Sequence, residues 1–423
     1  SGESSLSISD CSFIHNTGQF LGGAILLEIN EFDIQSSKFI ENECTTTNIL
    51  GGCGGSIFIL KLGDTQVIKS CLFQGNRATT SGGAIHVWYN NTQPQDPGFK
   101  DALNVTDCQF LVCTADTGGA IYTGSINPSL SNKDGDMSIE GCLFNKCHSK
   151  VGGAIHFSDG DFYSDQQKII FKCTFDDNTA ESKGSCIDSM AFEITLDNCT
   201  FKNNQWISTS QNCKSFLSIV MDEQEKVPII NKVIFEGNSG STIDITVQDG
   251  SLNFTECEFR DYTSGIAFDS SKINSISTSF TKCNFTNLFG DDDTLFPISL
   301  TFGEFIFDGC ILENNKHGTI KISGIKVTFK RCSFQYNKVA KSGASIYIGS
   351  SSKLINITNC NFCSNYAEQF GGSIFSQKIN EIFISSCSFI ANKADINGGA
   401  LYLDALKSDI ENCNFDLNDA YNP

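Results

Sequence analysis

The feature that most constrains this chain is a short unit, Cys-x-Phe-x-x-Asn, that returns along its 423 residues. Clear copies run Cys11-Phe13-Asn16, Cys71-Phe73-Asn76, Cys173-Phe175-Asn178, Cys199-Phe201-Asn204, Cys332-Phe334-Asn337, Cys360-Phe362-Asn365, Cys387-Phe389-Asn392 and Cys413-Phe415-Asn418. Weaker copies centre on Phe39, Phe110, Phe144, Phe235, Phe259, Phe285 and Leu312, making 15 units, mostly 24 to 28 residues apart where nothing is inserted. A unit this short cannot bury its apolar face alone. It does so by stacking on its neighbours, which is the logic of a solenoid.

Five residues before each central side chain the sequence is always apolar, from Ile8, Ile34 and Ile68 through Phe254, Phe280 and Phe307 to Ile384 and Ile410. The position seven before is usually apolar, and those three and four before are nearly all polar or Gly. Inward residues thus alternate along short strands, and a two-residue polar bend resets the parity. A second signature follows each Asn by about six residues: Gly22-Gly23-Ala24-Ile25, Gly54-Gly55-Ser56-Ile57, Gly82-Gly83-Ala84-Ile85, Gly118-Gly119-Ala120-Ile121, Gly152-Gly153-Ala154-Ile155, Gly371-Gly372-Ser373-Ile374 and Gly398-Gly399-Ala400-Leu401. Glycine there permits a positive φ and close approach between coils.

Three short strands per unit without helical periodicity predict an all-β chain: a right-handed, single-stranded parallel β-helix of about 15 coils, continuous over 1–423. Coils between about 201 and 320 have largely lost the Gly-Gly signature, so a different cross-section is expected there. Hairpin signals are sparse and the period is wrong for an up-and-down sandwich.

Thirteen of the 20 cysteines stand two residues before the central Phe position, with Ser37 and Val233 in their place in two units. Equivalent residues on successive coils sit at strand spacing, a poor fit to a disulfide, so this set reads as a ladder of buried free thiols. Among the other seven, Cys113 with Cys147, Cys44 with Cys53, and Cys186 with Cys213 are candidate disulfides, leaving Cys363 single. Zinc is the weaker rival reading of these cysteines, and no metal or cofactor is expected. Asn at the turn is read as tolerating the left-handed conformation and stacking its amide along the coils.

The alternating Gly-Gly-Ala-Ile and Phe-x-x-Asn signatures resemble the polymorphic outer membrane protein repeat of chlamydial surface adhesins, found also in surface proteins of protists. The resemblance spans nearly the whole chain and implies a β-helical surface protein with roles in adhesion, antigenic display or self-assembly. It supplies no catalytic residues. Within these residues no outer-membrane barrel is expected, and the regular Cys looks more like the eukaryotic versions.

A formal charge of −19 argues against nucleic acid and anionic membrane surfaces as partners. No stretch of 18 apolar residues is present to span a membrane. The chain reads as extracellular or cell-surface and as a mature product or part of something larger. Open solenoid edges would invite head-to-tail or lateral self-assembly.

Function is then sought in what interrupts the repeat. Insertions at 88–101, 124–136 and 158–166 follow the Gly-Gly strand in consecutive coils and are expected to emerge on one side. The position after the signature Ile carries Leu26, Phe58, His86, Tyr122, His156, Asp188, Tyr347, Phe375 and Tyr402. It is expected to face outward; Phe58, His86, Tyr122, His156, Tyr347, Phe375 and Tyr402 form a candidate binding stripe for sugars or another protein subunit. Sequons at Asn90, Asn104, Asn198, Asn253, Asn284 and Asn356 fall on loops, bends or outward positions. The alternative, a polysaccharide lyase or hydrolase, needs an outer acid/base cluster, often with Ca²⁺. Asp291-Asp292-Asp293 and Asp159-Gly160-Asp161 read instead as solvated turns, and no catalytic residue is assigned.

Overall fold

The computed structural model describes residues 5–29, 31–46, 51–61, 66–88, 102–124, 135–158, 167–190, 193–207, 215–221, 227–238, 242–247, 251–262, 266–268, 277–290, 296–300, 303–323, 325–350 and 352–421. It is organised as two compact units, Ser1–Pro228 and Ile229–Pro423. Both are built from the same coil. Every coil but the last contributes one strand to each of three all-parallel sheets, the arrangement of a right-handed parallel β-helix.

In the first unit, sheet I runs from Ser5–Ser9 to Glu193–Asp197. Sheet II runs from Ser12–Ile14 to Thr200–Lys202, and sheet III from Ile25–Glu28 to Ser215–Met221. The register follows the repeat: Ile8 pairs with Ile34, Ile34 with Ile68, and Ile68 with Val105 in sheet I. In sheet II, Phe13 pairs with Phe39, Phe39 with Phe73, and Phe73 with Phe110. These rings stack face to face at 4.8–4.9 Å with interplanar angles of 4–7°. Strand spacing is close to the ring-stacking distance, so the Phe of successive coils stack in continuous contact.

The second unit repeats the pattern in sheets I (Ile229–Asn231 to Ala405–Glu411), II (Ile234–Glu236 to Asn414–Asp416) and III (Thr242–Val247 to Leu401–Tyr402). Phe254, Phe280, Phe307 and Phe329 add a second ring stack from sheet I at 4.8–5.0 Å. Leu312 takes the central position opposite Phe285 and Phe334. The coils that lack Gly-Gly keep sheet III in register, with Ile266 opposite Ile298 and Ile298 opposite Ile320.

Two corners define each coil. Asn42, buried, shows the chemistry of the one after sheet II. Its Nδ2 donates to Phe13 O at 3.0 Å and Asn76 Oδ1 at 3.2 Å; its Oδ1 accepts from Asn16 N at 3.0 Å and Asn16 Nδ2 at 2.8 Å. Asn178, Asn315, Asn337, Asn365 and Asn392 repeat this pattern of donors. Both amide hydrogens and both acceptor lone pairs are used.

The left-handed residue at this corner is the one before the Asn, not the Asn itself: His15, Glu41, Val112, Lys146, Tyr336 and Leu417 all have φ of 50–56°. The corner before sheet II is alike. Its left-handed residue, such as Asp10, Ser36, Lys172 or Arg331, precedes the Cys position.

Left-handed geometry costs roughly 1–2 kcal/mol for an ordinary residue, and a β-branched one is the least suited to it. Val112, at φ 55°, lies half exposed on the coil after Gly75, which takes the same conformation. Val112→Asn is therefore expected to raise stability by about 1 kcal/mol. Asn337→Ala strands the bonds to Leu312 O, Asn365 Oδ1, Asn315 N and Asn315 Nδ2, and is expected to cost about 3 kcal/mol. The shift in urea-unfolding midpoint measures both; opposite signs are required.

Candidate functional site

The residue after the signature Ile does point away from the interior. Ile85, Ile121 and Ile155 are fully buried on one face of sheet III, and His86, Tyr122 and His156 alternate to the other. The expected exposed stripe nonetheless does not form. Phe58 and His86 are 0% exposed, His156 8% and Phe375 9%; Tyr122 and Tyr347 are half-buried, and only Tyr402, at 38%, is open.

The Gly-Gly arc explains the burial. Its first glycine is left-handed, at φ 63° for Gly82 and 66° for Gly152. A Cβ there would lie 2.9 Å from His156 Cβ at Gly152, 2.8 Å from Asp188 Cβ at Gly184 and 3.0 Å from Phe375 Cβ at Gly343. The turn folds the preceding segment over the outside of sheet III and seals the stripe beneath it. The second glycine serves close approach instead: a Cβ on Gly55 would meet Gly83 O at 2.0 Å.

What lies beneath is a closed stack. Phe58 and His86 have ring centroids 4.6 Å apart, His86 and Tyr122 4.7 Å, and Tyr122 and His156 5.3 Å. His86 Nε2 faces Gly124 O at 3.2 Å, which only a donor can do, so Nδ1 accepts from Ser81 Oγ at 2.8 Å. Burial drives His86 down to about 3, against the opposing bonds at Gly124 and Ser81, and the imidazole is neutral.

The stack ends on charge. Asp188 Oδ2 lies 2.9 Å from His156 Nδ1 and Asp188 Oδ1 lies 3.1 Å from Lys183 Nζ. The contact with His156 is short but poorly aligned for a hydrogen bond. Burial alone would raise the Asp188 carboxyl. His156, then Lys183, outweigh it and hold the carboxyl below its ordinary value. Asp188 was legible as a member of the stripe; its partner Lys183 was not, because it reaches in from the overlying segment.

The candidate disulfides are not made. Cys44, Cys53, Cys113, Cys147 and Cys186 are buried free thiols, and Cys213 lies outside the described residues. Cys113 and Cys147 stand in the Asn corner and act as Asn does: their Sγ atoms donate back to Phe73 O and Phe110 O at 3.6 and 3.5 Å. Each thiol thus reaches the preceding coil, as the Asn amide does. Cys44 is pushed up to about 11, by burial first and then by Cys53.

The ladder cysteines before sheet II are likewise free. Cys108 Sγ, for instance, donates to Thr106 O at 3.2 Å and accepts from Cys71 N at 3.4 Å. Ser37 takes the same role, accepting from Cys11 N at 3.1 Å.

The roots of the insertions are brought together. Gly124 N donates to Val87 O and Ser158 N to Thr123 O, both at 3.0 Å, so the three segments leave sheet III at stacked positions. Most of their residues, with Asn90 and both acidic runs, lie outside the described residues. Asn104, Asn253, Asn284 and Asn356 take outward strand positions, and Asn198 the left-handed bend at φ 55°. Among the described residues no three His, Cys, Asp or Glu side chains gather in a metal-binding arrangement, and no helix is long and apolar enough to cross a membrane.

Two predictions follow from this packing. Alkylation of the unfolded chain without reductant is expected to modify Cys44, Cys53, Cys113, Cys147 and Cys186; peptide masses showing any of them linked would overturn the assignment. Asp188→Ala removes a fully buried carboxylate from beside His156 and the partly exposed Lys183, and is expected to cost about 2 kcal/mol. Because the folded carboxyl is depressed, its contribution is complete above the unfolded value of about 3.9 and fades as pH falls through the folded one. Urea midpoints measured from pH 7 downward should converge for the variant and the parent only below about pH 4.

Comparison with known proteins agrees with this architecture. The family model described as "Right handed beta helix region" matches residues 245–420, and that described as "Chlamydia polymorphic membrane protein (Chlamydia_PMP) repeat" matches residues 70–87. The chain is 24% identical over 408 residues to "Metabotropic glutamate receptor-like protein P" of Dictyostelium discoideum, a match covering 90% of this chain and 26% of that protein. The chain thus spans about a quarter of that relative's length. No solved structure matches it. The chain is a right-handed parallel β-helix that carries the polymorphic membrane protein repeat.

Proposed function

We propose that this β-helix is a non-catalytic extracellular or cell-surface module, a scaffold that presents an adhesive surface within a larger surface protein or fibrous assembly. One observation carries the reading: the recurring Cys, Phe, Asn and Gly are all spent on coil-to-coil bonding, while outward positions vary freely from coil to coil. Such a module holds its shape whatever it displays. The repeat at residues 70–87 and the receptor-like relative support a surface location.

The non-catalytic part of the reading is supported by the His156–Asp188–Lys183 cluster. It is a compact grouping of acid and base side chains, yet Asp188 is 0% exposed and the cluster is closed to a polymeric substrate. Partners are then other protein subunits or surface glycans, met on outward strand positions and on the stacked insertions.

The test is antibody labelling of the module in its source cells before and after permeabilisation, with beads coated in purified module assayed for attachment. Labelling of intact cells and bead attachment are expected. Labelling only after permeabilisation would overturn the surface location, and bare and coated beads attaching equally would overturn adhesion.

A further inference from the structure

The net charge of −19 conceals a segregated distribution. Residues 314–367 hold eight Lys and Arg and no Asp or Glu, so the other 21 basic residues share the remaining chain with all 48 acidic ones. These cations lie on consecutive coils of the second unit. Lys326, Arg331 and Lys338 are partnered by Glu304, Asp308 and Glu368 from adjoining coils. Lys316, Lys321, Lys330, Lys341 and Lys353 have no acid at ion-pair distance among the described residues.

Part of this belt is ordered into a file. Phe289 pairs in register with Lys316, Lys316 with Lys338, Lys338 with Tyr366, and Tyr366 with Lys393. Five consecutive coils therefore present ring, cation, cation, ring, cation at one outward position, about 4.8 Å apart. The Lys316 ammonium lies 5.1 Å from the Phe289 ring centre, and those of Lys338 and Lys393 lie 5.1 and 5.8 Å from that of Tyr366. Tyr366 is fixed in turn by donating its hydroxyl to Asp395 Oδ2, and Asp395 Oδ1 lies 3.8 Å from Lys393 Nζ, so among the described residues the unpaired charge of the file is that of Lys316. Each lysine stem lies against a ring while its charged head stays in water.

We infer that this file, with the belt around it, binds an acidic polysaccharide, one bearing carboxylate or sulfate groups along its chain. The ammonium groups supply repeated positive charge, and the outer edges of Phe289 and Tyr366, whose faces the lysines flank, add apolar contact between them. The belt runs round the coil, from Lys316 and Lys338 after sheet II, through Lys321 on sheet III, to Lys330 and Arg331 before sheet II. A planar membrane could touch only one of these faces; a flexible chain can follow them. Because the rest of the surface is acidic, binding is confined to the belt and is expected to weaken steeply with salt.

The inference rests on the surface reading, which places polysaccharides within reach. Purified protein is passed over immobilised dextran sulfate, polygalacturonate and uncharged dextran at about 50 and 150 mM NaCl. Retention on both anionic polymers and not on dextran is expected. The charge reversal K316E/K338E/K341E should weaken binding about tenfold or more, whereas K38E/K69E/K146E, an equal charge change in the first unit, should weaken it less than about threefold. F289A/Y366A should lower affinity about threefold with an unchanged circular dichroism spectrum.

Equal retention on dextran, or equal loss from the two triple variants, overturns the proposal. So does binding to phosphatidylserine vesicles with none to either polysaccharide. These measurements can fail while intact cells still label, and the labelling can fail while binding holds, so the two readings fall separately.

Discussion

Everything in this structure depends on the saturated side-chain amide at the corner after sheet II. A coil that closes in 24 to 28 residues must turn sharply, and it does so by placing a residue in the left-handed conformation immediately before each Asn position. Most of those residues are not glycine, so the geometry is paid for elsewhere. The Asn residue offsets it by donating its side-chain amide to the preceding coil and to its counterpart on the next, which also accepts from its backbone N–H. Since those bonds run between coils, no coil can hold its own corner. The cooperativity of the solenoid follows from that dependence.

The cysteines extend the same logic. At the corner before sheet II a thiol bridges a carbonyl two residues back, a carbonyl on the preceding coil and, where Cys follows Cys, the amide of the coil before it. Ser37 can replace it because a hydroxyl satisfies the same partners, donating to Gln35 O at 2.7 Å. Cys113 and Cys147 can replace Asn for a related reason, although each offers one donor where the amide offers two. The abundance of Cys here is thus a matter of size and weak hydrogen bonding in a buried corner. Neither corner requires an oxidising environment.

Much of this was legible in sequence. The coil register, the inward Ile and Phe rows and the free-thiol ladder follow from period and parity, because strand pairing between identical units leaves little choice. What escaped was whatever depends on how one segment lies over another. The left-handed residue was placed on the Asn, since Asn tolerates that conformation, but the Asn is needed in the interior and its neighbour takes the strain. The aromatic stripe was given the correct face of sheet III and the wrong exposure, because parity says which side a residue is on and nothing about what covers that side. The Gly-Gly arc supplies the cover, and with it the need for His86 to be neutral and for Asp188 to be paired. The basic belt escaped because a net charge averages over coils that share no surface.

These distinctions bear on where such a chain can acquire function. A buried stripe position is tied to the glycine arc above it, so a change such as Tyr122 to His156 to Asp188 along the stack must be matched by a partner, as Lys183 is matched to Asp188. An outward position on sheet I, sheet II or the short segment after the Asn carries no such obligation. Its only neighbours in register are the same positions on the coils above and below. Like side chains then build files, and unlike ones build alternations such as Phe289, Lys316, Lys338, Tyr366 and Lys393. The fold therefore converts small outward substitutions into linear arrays at strand spacing while its interior stays unchanged. Linear arrays suit ligands that are themselves repeating chains, which is the physical reason a scaffold of this kind would act as a recognition surface without an enclosed site.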